Sequence, residues 1–282
     1  MQVDLKASNL WRVPEFITQP RVIMCITEID LSCNSIILLT NSSLLKFGQI
    51  RSLNASSNLI HHIPRTISTM KSLHTLDLSH NYLRSLPLSL RECILLTTFK
   101  LGSNNFSHFP VVILKLNLIE LEIDHNFLKE LPLDISILEN LLVFNCCNNR
   151  LIALPTTLPH LRKIRSLDIR NNLIISFSLE IFRMPCMTVL AIWGNPCPYV
   201  LSIESGTFDG VPDEWRTAMP ILLASGIPPK KLKTSELTLG TEATAAQEQF
   251  IHSTPKFSAT KAMIGIHSQH EKPAPVPDVA TQ

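Results

Sequence analysis

The feature that most constrains this chain is a spacing of apolar side chains that fits no single regular element yet returns at near-constant intervals. In LHTLDLSHNYLRSLP, residues 73–87, Leu73, Leu76, Leu78, Leu83 and Leu86 are separated by steps of three, two, five and three. A half-buried strand needs a period of 2 and a helix one of 3.6, so neither alone is being specified. The same positions are filled from Ile50, Leu96, Leu118, Leu141 and Ile164, with weaker copies from Ile26 and Met187, and the starts lie 22 to 24 residues apart. Repetition at such a period means a stack of like units, because no one unit can bury its apolar set alone.

The unit has a physical reading. Leu76 and Leu78 alternate with Thr75, Asp77 and Ser79, as in a short strand with one face in a core and one in solvent. The chain must then turn without stranding buried amides, and an Asn side chain carries both donors and an acceptor for that purpose. Asn34, Asn58, Asn81, Asn104, Asn126, Asn149, Asn172 and Asn195 hold this position in successive units and are expected to form a structural ladder. Leu83 and Leu86 fill the space beneath the turn, Pro87 ends the extended segment, and Leu90 with Cys93 supplies the apolar side of a short helix on the far side.

The pattern LxxLxLxxNxLxxLP resembles the leucine-rich repeat, in the roughly 23-residue form of the intracellular Ras-group proteins related to Scribble, Erbin and the Ras suppressor protein. The resemblance covers residues 1 to 200. It implies an α/β solenoid, a horseshoe with a parallel concave sheet and short convex helices or 3-10 turns. It also implies a non-catalytic interaction scaffold or adaptor of intracellular signalling that binds a protein on its concave face. A small GTPase, a phosphatase subunit or a polarity complex are the partners the family suggests, and no residue selects among them. Two alternatives stand beside this one. The chain could be the targeting arm of a larger enzyme, such as a ubiquitin ligase or kinase, or an extracellular recognition receptor.

Composition agrees with one continuous core: 45% of residues are hydrophobic, 17% charged, and mean hydropathy is +0.19. No apolar run reaches the length of a membrane span, and MQVDLKASNLW lacks the apolar stretch of a signal peptide, so a cytoplasmic or nuclear location is expected. A net charge of +2 is too small for a nucleic-acid surface. The seven cysteines are odd in number and form no CxxC pair, with Cys146 and Cys197 replacing core leucines and Cys93 on the convex apolar side. That usage fits free thiols in a reducing compartment. Glycosylation tripeptides at Asn41, Asn54 and Asn105 point the other way.

The two ends differ from the middle. Val3, Leu5, Leu10, Val13 and Pro14 match the second half of the unit, so the chain begins inside a repeat and is expected to be a fragment or isoform. Residues 201–227 carry Trp215, Met219, Ile221 and Leu222 and are expected to cap the last repeat. Residues 228–282 are poor in apolar side chains and read as a disordered tail, within which KKLKTSELTL resembles a kinase docking peptide.

Candidate binding residues come from the polar side of the strands, where same-position residues of successive units are neighbours about 4.8 Å apart. Glu120, Glu122 and Asp124 form an acidic patch, while Asp77, Lys100 and Glu122 line up as a surface charge ladder. Farther along, near Asp168, Arg170 and Trp193 are of the residue types most enriched at binding hot spots, although Arg170 stacking on Trp193 is an equal alternative. No catalytic triad appears. His80 and His125 occupy the same position two units apart, roughly 10 Å by that strand spacing, so no metal centre and no cofactor are expected.

Overall fold

The computed structural model describes residues 1–197. The expected cap at 201–227, the tail at 228–282 and the docking-like peptide lie outside the described residues.

Each unit contributes one three-residue strand, and the strands form a single parallel sheet in chain order. They are β1 (Gln2–Asp4), β2 (Glu28–Asp30), β3 (Ser52–Asn54), β4 (Thr75–Asp77), β5 (Thr98–Lys100), β6 (Glu120–Glu122), β7 (Val143–Asn145), β8 (Ser166–Asp168) and β9 (Val189–Ala191). Register is constant, so the central residues Val3, Ile29, Leu53, Leu76, Phe99, Leu121, Phe144, Leu167 and Leu190 follow one another across the sheet. From Ile29 to Leu190 this column is buried. Such short strands are stable only because each is paired and its inward residue enters a core shared with its neighbours.

The sheet has nine strands, whereas the repeat starts counted from the sequence give eight. The additional one is β1, built from the incomplete first unit. Val3 and Leu5 alternate as Leu76 and Leu78 do, Val3 pairs with Ile29, and the Leu5 amide donates to the Asp30 carbonyl at 2.8 Å.

On the convex side the chain makes 3-10 turns, such as Arg65–Thr69, Leu88–Glu92, Val111–Lys115 and Leu133–Ile137, and two single α-helical turns, α1 (Pro20–Ile23) and α2 (Asn41–Leu44). Pro64, Pro87, Pro110 and Pro132 stand extended immediately before those four 3-10 turns. Proline fixes φ there and gives no amide to continue a strand ladder. One turn suffices to aim an apolar residue inward: Ile67, Leu90 and Ile135 are so buried, and Val112, Ile113 and Leu114 in the Val111–Lys115 turn.

The ladder asparagines join the units. Asn81 Oδ1 accepts the Ile60 amide of the preceding unit at 2.9 Å, and its Nδ2 donates to the carbonyls of Ala55 at 3.0 Å and Leu78 at 3.1 Å. Asn58, Asn104, Asn126, Asn149, Asn172 and Asn195 repeat this arrangement and are buried, while the half-buried Asn34 accepts from the Ser8 and Leu10 amides. Among the described residues every buried side-chain nitrogen and oxygen has a hydrogen-bond partner.

The residue preceding each asparagine is left-handed. Cys33, Ser57, His80, Ser103, His125, Asn148, Asn171 and Gly194 have φ between 49° and 71°. Only Gly194 adopts this without steric cost, so the ladder hydrogen bonds hold the others in place. His80 and His125 are therefore turn residues, which is why they share a position.

All seven cysteines are free thiols. Cys93, Cys146, Cys147 and Cys197 are buried, and Cys25, Cys33 and Cys186 are exposed. Burial pushes the Cys93 thiol up to about 11 and holds that of Cys146 well above its ordinary value.

Candidate functional site: the concave sheet

Besides the first residues of the strands, such as Glu120, two further columns of side chains face outward from the sheet. The first is the last residue of each strand: Asp4, Asp30, Asn54, Asp77, Lys100, Glu122, Asn145, Asp168 and Ala191. The second lies two residues on, and contains Ser32, Ser56, Ser79, Gly102, Asp124, Cys147, Arg170 and Trp193.

Where Asp or Asn stands in the first column, its Oδ1 accepts the backbone amide two residues on, as an Asx turn does. The distances are 2.9 Å for Asp4, 2.8 Å for Asp30, 3.0 Å for Asn54, 2.9 Å for Asp77, 3.2 Å for Asn145 and 3.1 Å for Asp168. Lys100 and Glu122 break this pattern. Asp77 is thus engaged by Ser79 and does not belong to a charge ladder with Lys100. The glycosylation tripeptide at Asn54 is likewise occupied, its Oδ1 held by Ser56.

Glu120, Glu122 and Asp124 do face one side, but they are not an open acidic patch. Lys100 Nζ lies 2.9 Å from Glu122 Oε1 and 3.2 Å from Glu120 Oε1. Desolvation pulls the ammonium pKa down, yet the two carboxylates together outweigh it and raise it. Glu122 is also raised, by burial first and by the repulsion of Glu120, against the opposing pull of Lys100. The two directions are compatible. One cation gains from two carboxylates, while Glu122 shares that cation with a like charge.

At the other end Arg170 is held on two sides. Its Nε lies 2.9 Å and 3.0 Å from the Asp168 carboxylate oxygens, and its guanidinium carbon is 5.1 Å from the centre of the Trp193 ring. Trp193 is half-buried against the core. The hydrogen bonds that Arg170 donates to Asp168 raise its pKa. Asp168, Arg170 and Trp193 therefore form one pre-organised group of charge and ring.

Between these features the structure assembles a cluster that sequence reasoning missed. His125 Nδ1 donates to Asp124 Oδ2 at 2.8 Å, and ligand atoms of Asp124, His125 and Cys147 all lie within 4.8 Å of one another. Asp124 and Cys147 share the second column. His125 follows Asp124 directly, whereas its sequence position aligns it only with His80 in its own column. Gly102 makes room for the carboxylate, since a Cβ there would stand 2.7 Å from Asp124 Oδ1.

With the sheet, its register and its asparagine turns established, comparisons place the chain among known proteins. No protein-family model matches it. Among curated proteins, chaoptin from Drosophila melanogaster is 28% identical over 76% of this chain and 14% of its own length. Osteomodulin from Rattus norvegicus is 30% identical over 63% of this chain and 43% of its own length. The chain thus spans less than half of either relative. Among solved structures, the Arabidopsis receptor kinase HAESA, in complex with the peptide hormone IDA and the co-receptor SERK1, superposes with a TM-score of 0.61 at 24% identity. That match covers 69% of this chain and 34% of HAESA. An internalin from Listeria monocytogenes gives 0.60 at 17% identity, over 73% of this chain and 58% of its own. The chain has the leucine-rich repeat fold, a solenoid shared with these neighbours. Among the described residues no helix is long and apolar enough to cross a membrane.

Proposed function

We propose that this protein is a non-catalytic interaction module that binds a protein partner on the β5–β9 part of its concave sheet. The observation that carries the reading is the change along the first and second columns. In β1–β4 each first-column oxygen accepts an amide of its own turn, with Asn54 also donating to Asp30, whereas from Lys100 to Trp193 charged and aromatic groups contact one another across strands and present their outer faces. Nine strands make a ribbon about 38 Å long at ~4.8 Å per step, enough for a standard interface of about 800 Å² per partner. Solved leucine-rich repeat neighbours such as HAESA are seen with peptide and protein partners.

The Ras-group resemblance supports an intracellular partner of the small GTPase, phosphatase-subunit or polarity-complex kind, and the seven free thiols support a reducing compartment. Two experiments test this. Partners captured on the full chain are identified and re-bound to Trp193→Ala, to the triple reversal of Glu120, Glu122 and Asp124 to Lys, and to the convex control Arg91→Glu. The first two weaken binding and the control does not; loss on Arg91→Glu alone would move the site to the convex side. Secretion of the chain with a glycan at Asn41 or Asn105 would overturn the intracellular assignment.

A further inference from the structure

We propose that Asp124, His125 and Cys147 form a binding site for a zinc-class divalent cation on the concave sheet. The three side chains come from two adjacent units, and they are the one group of three or more potential metal ligands that meet among the described residues. Their chemistry is selective. A thiolate, an imidazole and a carboxylate together are the donors of zinc and cobalt sites, whereas calcium and magnesium take oxygen ligands alone.

The geometry grades from buried to open. Cys147 is 5% exposed and forms the floor. The Asp124 side chain is 18% exposed and that of His125 57%, forming the wall and rim. Asn148 Nδ2 donates to Cys147 Sγ at 3.1 Å, an outer contact that steadies the sulfur. Gly102 supplies the space into which the Asp124 carboxylate fits. Three protein ligands leave a fourth tetrahedral position for water or for a side chain of a bound partner.

Binding exchanges the hydrogen bond between His125 and Asp124 for bonds to the metal, and the thiol proton leaves for solvent. The ligating sulfur must be a thiolate and the imidazole neutral, so affinity rises with pH.

Two of the three ligands can be removed with a residue type the fold already accepts in the same column. Ser32, Ser56 and Ser79 match Cys147→Ser, and Asn148 and Asn171 match His125→Asn at its left-handed position. The full chain is titrated with Co2+ alone and followed by its visible spectrum and near-ultraviolet sulfur-to-cobalt band, then back-titrated with Zn2+. One equivalent of cobalt is expected to bind with the band present and tetrahedral visible absorption, and zinc to bleach both. Cys147→Ser should abolish the band. His125→Asn, at an exposed position, should weaken binding by at least the ~10-fold that losing even a supporting residue costs at metal sites. Absence of the band in the wild-type chain, its persistence in Cys147→Ser, or unchanged affinity in His125→Asn overturns the site. The His125 variant decides the matter even if the Cys147 variant fails to fold.

Discussion

The concave sheet carries two regions with the same backbone and different surfaces. In β1–β4 the side chains of Asp4, Asp30, Asn54 and Asp77 each accept an amide of their own turn, and the hydroxyls of Ser56 and Ser79 donate to the same oxygens at 2.7 Å and 2.6 Å. In β5–β9 Lys100 and Glu122 replace the capping residue, and Asp124, Arg170 and Trp193 replace serine. Strand register and ladder are identical in both. The fold's demands are met by the core and the asparagine turn, so the outward columns are free to differ. A polar group already satisfied by its own backbone has little to offer a partner.

The comparison breaks most readily at the ladder. Asn81→Leu and Asn126→Leu should each destabilise by about 3 kcal/mol in chemical denaturation, because the Ile60 and Phe106 amides lose their acceptors in a buried turn. If one region tolerated the change, the ladder would not be their common support. The next effect concerns binding. Trp193→Ala should cost about 2 kcal/mol of partner affinity as a hot-spot truncation, measured by titration calorimetry, whereas Asp77→Ala should cost none. Equal losses at the two positions would erase the functional distinction between the regions.

Smaller effects sharpen it. Asp77→Ala should lower stability by about 1 kcal/mol, since the Ser79 amide loses its acceptor. Lys100→Met should cost less, ~0–1 kcal/mol, because its two ion pairs are about one-third exposed. A larger loss at Lys100 would show that the charge cluster supports the fold rather than the surface. The smallest effect is on pH dependence. Glu122 holds its proton more tightly folded than unfolded, so its contribution is fully present below the ordinary 4.5 and is lost as pH rises through the raised folded value. Glu122→Gln should flatten the stability profile across that window. An unchanged slope in thermal melts over pH would show that burial and Glu120 do not govern the carboxyl.

By itself the sequence determined the repeat, its strand, its core columns and the asparagine at each turn, because these depend on spacing within one unit and on burial that every unit requires. Leu76, Asn81 and Pro87 do the same work wherever their counterparts fall. It did not disclose the ninth strand as a strand, since Val3 and Leu5 belong to an incomplete unit whose partner, Ile29, lies in the next. Nor did it disclose the left-handed column, because Cys, Ser, His, Asn and Gly share no chemical signature and are joined only by the φ the turn imposes. Only the tertiary structure decided which outward side chains are committed. Asp77 and Asp168 look alike in a column, yet one is held by the amide and hydroxyl of Ser79 while the other also grips the Arg170 guanidinium. Asp124, His125 and Cys147 converge because His125 reaches Asp124 across its turn and Gly102 leaves room beneath. Spacing sets which residues are neighbours; side-chain rotation, packing and competing hydrogen bonds set which of them meet.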